Sequence, residues 1–127
     1  MKLHLTYAEG QNLITAYDDD YIAINRERFT HSLIVMPMLL INDWSSAANN
    51  ALTFKTLTAT DFEKIAALKP EVVLLGTGKI HQFLHPKVSA LLSKKGISLE
   101  CMTTAAACRT YNILMSEGRN VAAALIL

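Results

Sequence analysis

Two stretches of this sequence contain residue types that could bind a ligand, and the first is "GTGK", residues 76–79. It follows the apolar run "EVVLL", and a glycine-rich turn after a buried strand can bring main-chain N–H groups to a phosphate. His81 stands where G-x-G-x-x-G needs its third glycine, and Ile80 stands where a P-loop needs serine or threonine. The stretch is therefore interpreted as either a phosphate cradle or a tight turn that requires a positive φ.

The second stretch is "TTAAACRTYN", residues 103–112, which mixes helix-forming alanines with polar side chains. Helical spacing places Arg109, Asn112 and Ser116 on a polar face beside an inner apolar face. The predicted inner face consists of Ala107, Cys108, Tyr111, Leu114 and Met115.

We expect the two stretches to meet, because both follow the carboxyl ends of predicted parallel strands, where ligands of α/β sheets bind. Main-chain N–H groups, a threonine and a guanidinium would suit a small anion. The alternative is that Arg109 pairs with Glu100 or Glu117 and the crevice is ordinary surface. The predicted anion site consists of Gly76, Thr77, Gly78, Lys79, Thr104, Arg109 and Asn112.

Other candidate sites are interpreted as structural. "HQFLH" has zinc-protease spacing, but Gln82 cannot serve as the general base and Pro86 disfavours a continuous helix. His85 is therefore interpreted as a helix-capping or surface residue. "DDD", residues 18–20, is interpreted as a solvated hairpin turn. Cys108 lies on the inner face and is interpreted as a core residue and not as a nucleophile. No catalytic residue, metal site or cofactor is predicted.

The elements that must position these residues fall into two halves. Residues 2–43 are β-prone in "LHLTYA", "NLITAY", "YIAI" and "SLIVMPMLLI", with polar breaks "EGQ", "DDD" and "NRER". After the polar connection that contains Trp44, the pattern becomes α-β-α-β-α-β, whose strands should lie parallel. The sequence therefore predicts an α+β fold, with mostly antiparallel N-terminal strands and parallel C-terminal strands, in a single domain over residues 1–127.

The ends of the predicted helices are marked by particular residues. Thr60 and Glu63 form a capping-box pattern at the first helix. Pro86 is a favoured first-turn residue for the second, and Thr103 or Thr104 caps the third. The inward-facing residues of the first two helices are Phe62, Ile65 and Ala66, then Val88, Leu91 and Leu92.

The bulk composition excludes several classes of protein. The 127 residues are 51% hydrophobic with a net charge of +1, which is typical of a globular domain and not of a nucleic-acid-binding module. No apolar run is long enough for a transmembrane helix, and the start resembles neither a signal peptide nor an Arg-rich presequence. The two cysteines are interpreted as reduced thiols, so we expect a cytoplasmic protein.

The last third of the chain resembles a known family. "LLGTGK", followed by the pattern T-x-x-A-x-x-T-Y-N-x-L and then E-x-R, is similar to the domain-of-unknown-function 498 family. The matching residues are Thr104, Ala107, Thr110, Tyr111, Asn112, Leu114, Glu117 and Arg119. The resemblance implies a three-layer β+β/α fold. It also implies protein interaction, since mitochondrial members help to assemble respiratory complex I; without a presequence, this chain looks like a bacterial relative.

The first functional hypothesis is therefore a non-catalytic binding module resembling complex I assembly factors. Its partner would be a protein, such as a respiratory complex subunit or another assembly factor. The alternative is a small-ligand (anion) binding protein or an enzyme of unknown reaction that uses the crevice near Gly76, Lys79 and Arg109. A third hypothesis is a homodimer closed through an exposed sheet edge or apolar patch.

Overall fold

A computed structural model describes residues 10–42, 44 and 53–127. The strand predicted within "LHLTYA" lies outside the described residues. The described strands are β1 (Ile14–Tyr17), β2 (Ile22–Ile24), β3 (Glu27–Phe29), β4 (Leu33–Met36), β5 (Leu39–Ile41), β6 (Val72–Gly76), β7 (Ser98–Met102) and β8 (Val121–Leu125). The described α-helices are α1 (Ala59–Ala67), α2 (Pro86–Lys94) and α3 (Thr104–Ser116), and a short 3-10 helix spans Phe54–Thr56.

The first three strands form a small antiparallel sheet in the order β1-β2-β3. Residues 18–20 make the turn between β1 and β2, where the Asp18 N–H donates to the Tyr21 carbonyl at 3.0 Å, so the predicted turn is confirmed. "NRER" was predicted as a break between strands, which is confirmed for Asn25 and Arg26, whereas Glu27 and Arg28 belong to β3. Asn25 and Arg26 have φ values of 50° and 73°, as a two-residue hairpin turn requires, and β3 begins directly after them.

The remaining strands form a mixed sheet in the order β5-β4-β8-β6-β7. β6 pairs in parallel with β7 and with β8, which confirms the predicted parallel arrangement. β4 pairs antiparallel with both β5 and β8, so the N-terminal run "SLIVMPMLLI" joins the C-terminal strands in one sheet. β8 therefore lies at the centre of the larger sheet.

Both faces of this sheet are covered, which confirms the layered α+β fold. The small sheet and α3 cover one face, where Leu74, Ala123 and Leu125 are buried. α1 and α2 cover the other face, where Leu75 and Ala124 are buried. Every residue of β6 and β8 is buried, as expected for central strands without alternation.

The first helix starts two residues earlier than its sequence pattern indicated. The Thr58 N–H donates to Asp61 Oδ2 at 2.8 Å, and the Asp61 N–H donates to the Thr58 carbonyl at 3.1 Å. The predicted capping box of Thr60 and Glu63 is therefore wrong, because Thr58 and Asp61 form the same pattern one half-turn upstream. The predicted inner face is confirmed: Phe62, Ile65 and Ala66 are buried.

The ends of the other two helices agree with the sequence. α2 begins at Pro86, and His85 caps it by accepting the Lys87 N–H at Nδ1, at 3.1 Å. Thr103 caps α3 by accepting the Ala106 N–H at Oγ1, at 3.3 Å. Thr104 is therefore the first residue inside α3, which leaves its side chain available for another role.

Candidate functional site

The end of β6 and the start of α3 lie in direct contact, and Gly76 makes this possible. A Cβ atom added at Gly76 would be 2.9 Å from the Thr104 Cα and 3.0 Å from a methyl group of Leu125. Real Cβ atoms do not approach other atoms this closely, so only glycine allows the strand end to lie against the helix start. The first glycine of "GTGK" therefore serves close packing.

The hydrogen bonds between the "GTGK" loop and α3 are already made within the protein. The Gly78 N–H donates to Thr104 Oγ1 at 2.9 Å, and the Thr104 N–H donates to the Gly78 carbonyl at 2.9 Å. The Thr104 hydroxyl in turn donates to the Ile126 carbonyl at 2.7 Å. The Thr77 N–H donates to the Met102 carbonyl at 2.8 Å. An anion bound at these donors would have to displace the bonds that join three segments.

Thr77 organises the loop that continues from this contact. Its side chain is buried, and its hydroxyl donates to the Ile80 carbonyl at 2.6 Å and accepts the Gln82 N–H at 3.2 Å. Gly78 has a φ of +97°, a conformation that favours glycine. Of the two interpretations of this stretch, these observations favour the tight turn.

A cleft opens beside this contact, at the carboxyl ends of β6 and β8. It is formed by residues 17–19, 78–79, 103–105 and 126–127, and we call it the strand-end cleft. Its volume of about 530 Å³ lies within the range of small-molecule sites. Lys79 Nζ lies 3.5 Å from Asp19 Oδ2, and both side chains are exposed. The cleft therefore carries both signs of charge.

Arg109 contacts a residue that lines the cleft. Its Nη1 donates to the Tyr17 hydroxyl at 2.7 Å, and Tyr17 is a buried residue of β1. In the described part of the chain, the ion pairs are Lys79–Asp19 and Arg119–Glu71, so the alternative pairing of Arg109 with Glu100 or Glu117 is not observed. Gly78, Lys79, Thr104 and Arg109 thus lie on the same side of the molecule.

Asn112 does not lie at the cleft, and the expectation that it faces the site is wrong. It is fully buried, its Oδ1 accepts the Ile14 N–H at 3.0 Å, and its Nδ2 donates to the Ile14 carbonyl at 2.8 Å. The side-chain amide therefore makes the two bonds that a neighbouring strand would make to Ile14. Its role is to anchor β1 on α3.

Three of the four residues of the "RTYN" run of α3 bond to β1 or to the chain just before it. Arg109 bonds to Tyr17, Asn112 bonds to Ile14, and the Tyr111 hydroxyl donates to the Asn12 carbonyl at 2.7 Å. Three side chains from about one turn of α3 thus bond to residues spaced along one extended segment. The polar residues that suggested chemistry in the sequence largely hold the two layers together.

The cysteines differ in their surroundings. Burial raises the pKa of the Cys108 thiol from 9.0 to about 12, and the charge of Arg109 acts in the opposite direction. Burial also raises the pKa of the half-buried Cys101 thiol; a hydrogen bond from the Leu84 main chain opposes this shift, and the charge of Glu100 adds to it. A raised thiol pKa lowers the thiolate fraction, so Cys108 is a poor nucleophile, as its inner-face position predicted.

The possible metal ligands are dispersed. Among residues 10–42, 44 and 53–127, no group of three or more His, Cys, Asp or Glu side chains is arranged to hold a metal ion. His81 contacts the ring of Phe83 with centroids 4.4 Å apart, while His85 caps α2. The interpretation of His85 as a capping residue is confirmed.

Seven of the ten cleft residues were not predicted from the sequence, among them Tyr17 at the end of β1 and Asp18 and Asp19 in the turn that follows it. Their turn was interpreted only as a solvated connection. Its position beside "GTGK" depends on how the small sheet packs on α3, and no local sequence signal reports that packing.

The layers and the strand order define a class of fold, an α+β domain in which a β-sheet and a helix cover one face of a central mixed sheet. The chain belongs to the family described as "Protein of unknown function (DUF498/DUF598)", whose model matches residues 14–126. The resemblance seen in the sequence is therefore confirmed.

Individual relatives support this assignment. The mouse NADH dehydrogenase [ubiquinone] 1 alpha subcomplex assembly factor 3 is 31% identical over 115 residues, which cover 89% of this chain and 59% of the mouse protein. The 13 kDa major membrane protein of Francisella tularensis is 36% identical over 73 residues, covering 57% of this chain and 58% of that protein. A crystal structure of a Bordetella parapertussis protein has 39% identity and a TM-score of 0.83, and covers 94% of this chain and 98% of that one.

The chain thus spans about three fifths of the length of its mouse relative. Within the residues that the structure describes, no helix combines the length and the apolar character that a membrane span requires. The cytoplasmic location stays a prediction.

Proposed function

We propose that this protein is a non-catalytic binding module that acts in the assembly of respiratory complex I. The observation that carries the proposal is the 31% identity with a complex I assembly factor across 89% of this chain. An assembly factor acts by binding subunits, so the functional element would be a surface and not a reactive group. The buried, weakly acidic thiol of Cys108 is consistent with such a role.

The proposed contact surface includes the strand-end cleft. Lys79 is exposed there and Arg109 is exposed beside it, so both can pair with carboxylates of a partner. The bonds between Gly78 and Thr104 hold the cleft walls in place before a partner arrives. A preformed surface loses less conformational entropy on binding than a mobile one.

Deletion of the gene in the organism that carries it tests this function. We expect less assembled complex I on native gels and lower NADH:ubiquinone oxidoreductase activity, both restored by the wild-type chain. The double variant Lys79→Glu/Arg109→Glu should fail to restore assembly. Lys64→Glu, an exposed charge reversal on α1, is the matched control and should restore it. Normal complex I assembly in the deletion strain would refute the proposal.

A second candidate function is the binding of a small anionic ligand in the same cleft. The volume of about 530 Å³ and the position at the strand ends favour it. A ligand that binds only the native state raises the melting temperature. We expect small carboxylates or phosphates to produce such a rise and Arg109→Ala to remove it. A rise that persists in Arg109→Ala would place the ligand elsewhere.

A further inference from the structure

The outer edge of β7 presents main-chain groups that the described fold does not use. β7 is the last strand of the larger sheet, and within the described residues it pairs with β6 alone. The Ser98 N–H donates to the Glu71 carbonyl, and the Thr77 N–H donates to the Met102 carbonyl. Residues 98, 100 and 102 therefore face β6. By strand alternation, the N–H and carbonyl groups of Leu99 and Cys101 point away from the sheet.

A groove runs beside this edge. It has a volume of about 510 Å³ and lies between β7, the end of the loop before α2, and one face of α2. Its lining mixes three serines with the apolar residues Phe83, Leu84, Ile97 and Leu99. The Phe83 side chain is 78% exposed, among the highest values for a large apolar residue in the described chain. An aromatic ring at the rim of a groove can pack against an incoming apolar side chain.

The exposed charges around the groove are mainly positive. From Phe83 to Met102, the charged side chains are Lys87, Lys94 and Lys95 against the single acid Glu100, and all are exposed. The whole chain carries a net charge of only +1, so this segment is more basic than the rest of the protein. A field of this sign attracts an acidic partner and repels a basic one.

From these three observations, we infer that the β7 edge and its groove bind an extended, acidic segment of a partner protein by strand addition. The segment pairs with the main chain of Leu99 and Cys101, and its alternate apolar side chains enter the groove beside Phe83. The inference rests on the proposed function, since it names the chemistry of the protein partner and a second contact surface.

The charge distribution favours a different protein over a second copy of this chain. Two copies joined through this edge would bring their lysine-rich segments together. In the symmetric register centred on Glu100, the two Glu100 side chains would also lie opposite each other, which is destabilising. An acidic strand would instead meet Lys87, Lys94 and Lys95, with Glu100 as the single like charge.

A display library of random short peptides, panned against the full-length chain, tests the inference. We expect the enriched peptides to alternate apolar and polar residues and to carry net negative charge. In the complex, the Leu99 and Cys101 amides should become protected from hydrogen exchange. Phe83→Glu should weaken the binding of an enriched peptide by about tenfold or more, because it removes an apolar contact and repels the acidic strand.

The matched control is Ile80→Glu. Ile80 is 71% exposed in the same loop but does not line the groove, so the same charge change should leave peptide affinity nearly unchanged. Because both positions are exposed, both variants should fold as the wild type does. Equal losses in the two variants would overturn the inference. So would the absence of enriched peptides, peptides that protect amides at the strand-end cleft instead, or a stable homodimer that Phe83→Glu dissociates.

The deletion strain separates this inference from the proposed function. Complex I assembly that is restored fully by Phe83→Glu, in a strain that needs the wild-type gene, would refute only the β7 contact. Normal assembly without the gene would refute the assembly function, whereas a positive peptide result would still support strand addition.

Discussion

The outer edges of β1 and β7 differ in whether their main-chain N–H and carbonyl groups have hydrogen-bond partners. At β1, the Asn112 amide makes both bonds to Ile14, so a side chain takes the place of a missing strand. At β7, the outward groups of Leu99 and Cys101 have no such substitute among the described residues. Exposed sheet edges favour pairing with another strand, so the open edge of β7 is available to a partner.

The difference also separates structural residues from binding residues. The polar side chains of α3 look functional in the sequence, yet Arg109 and Asn112 bond to β1, and Tyr111 bonds to Asn12 just before it. The β7 strand looks like an ordinary core strand, yet its edge offers free donors and acceptors. Polar residue types alone therefore suggest a site where the side chains are structural, as on α3, and miss an edge with open main-chain groups, as at β7. The hydrogen-bond partners distinguish the two cases.

The largest expected effect comes from opening the β1 edge. Asn112→Ala leaves the buried N–H and carbonyl of Ile14 without partners, and we expect a loss of about 3 kcal/mol in the free energy of unfolding. Urea denaturation measures it. The control Asn120→Ala removes an exposed amide and should change stability by less than about 0.5 kcal/mol. A comparable loss in the two variants would mean that the amide does not close the edge.

The next effect concerns the contact that seats α3 against β6. Gly76→Ala places a methyl group 2.9 Å from the Thr104 Cα and should cost about 2 kcal/mol through overpacking. Gly78→Ala adds its methyl group in open space, so only its positive φ opposes the change, at about 1 kcal/mol. Thermal unfolding of both variants measures the difference. If Gly78→Ala lowered stability more than Gly76→Ala, the close approach of Gly76 to Thr104 would not be the reason that glycine is needed there.

A smaller effect appears at alkaline pH, from the same face of α3. Folding raises the pKa of Cys108 from 9.0 to about 12, and burial also raises that of Tyr111. The folded state favours the protonated forms. The stability that they contribute is therefore complete below pH 9 and is lost as pH rises through the pKa of the folded state. We expect Cys108 to account for about 1 kcal/mol lost by pH 10.

Denaturation of Cys108→Ala as a function of pH checks this effect. Its alkaline loss of stability should be reduced but not abolished, because Tyr111 still contributes. Cys101→Ala is the matched control, with a smaller change expected because that thiol is only half-buried. A pH dependence identical to wild type in Cys108→Ala would contradict the assignment.

The smallest effect can be measured in the wild-type protein. Amide hydrogen exchange in the free protein should be fast at Leu99 and Cys101 and slow at Glu100, which faces β6. Ile14 lies at the edge of its own sheet, yet its amide should exchange slowly because Asn112 accepts it. Equal protection at Leu99 and Glu100 would remove the contrast between the two edges.

Much of the fold was predictable because it depends on local patterns. The continuous apolar run before Gly76 and the helical spacing of Phe62, Ile65 and Ala66 each reported their own element correctly. The α1 start was misplaced because Thr58 and Thr60 offer competing capping patterns, and Asp61 at N3 selects the first. The prediction that residues 1–127 form one domain stays a prediction.

The candidate site was less predictable because it depends on contacts between distant residues. The side of α3 that carries Arg109 was foreseen, but its partner Tyr17 is 92 residues away. Asn112 was assigned to the polar face, because no local pattern indicated that its amide would bond to the main chain of β1. Whether the strand-end cleft binds an anion stays a prediction.

The central position of β8 has a consequence for biosynthesis. Its Leu125 pairs with Leu33 of β4, while its other edge pairs with β6, so the larger sheet cannot close until this late strand has left the ribosome. Until then, β4 can pair with β5 at one edge, but the edge that pairs with β8 in the folded protein stays open. The nascent chain therefore exposes an unpaired strand edge until β8 has been made, and a chaperone that shields β4 would raise the folding yield.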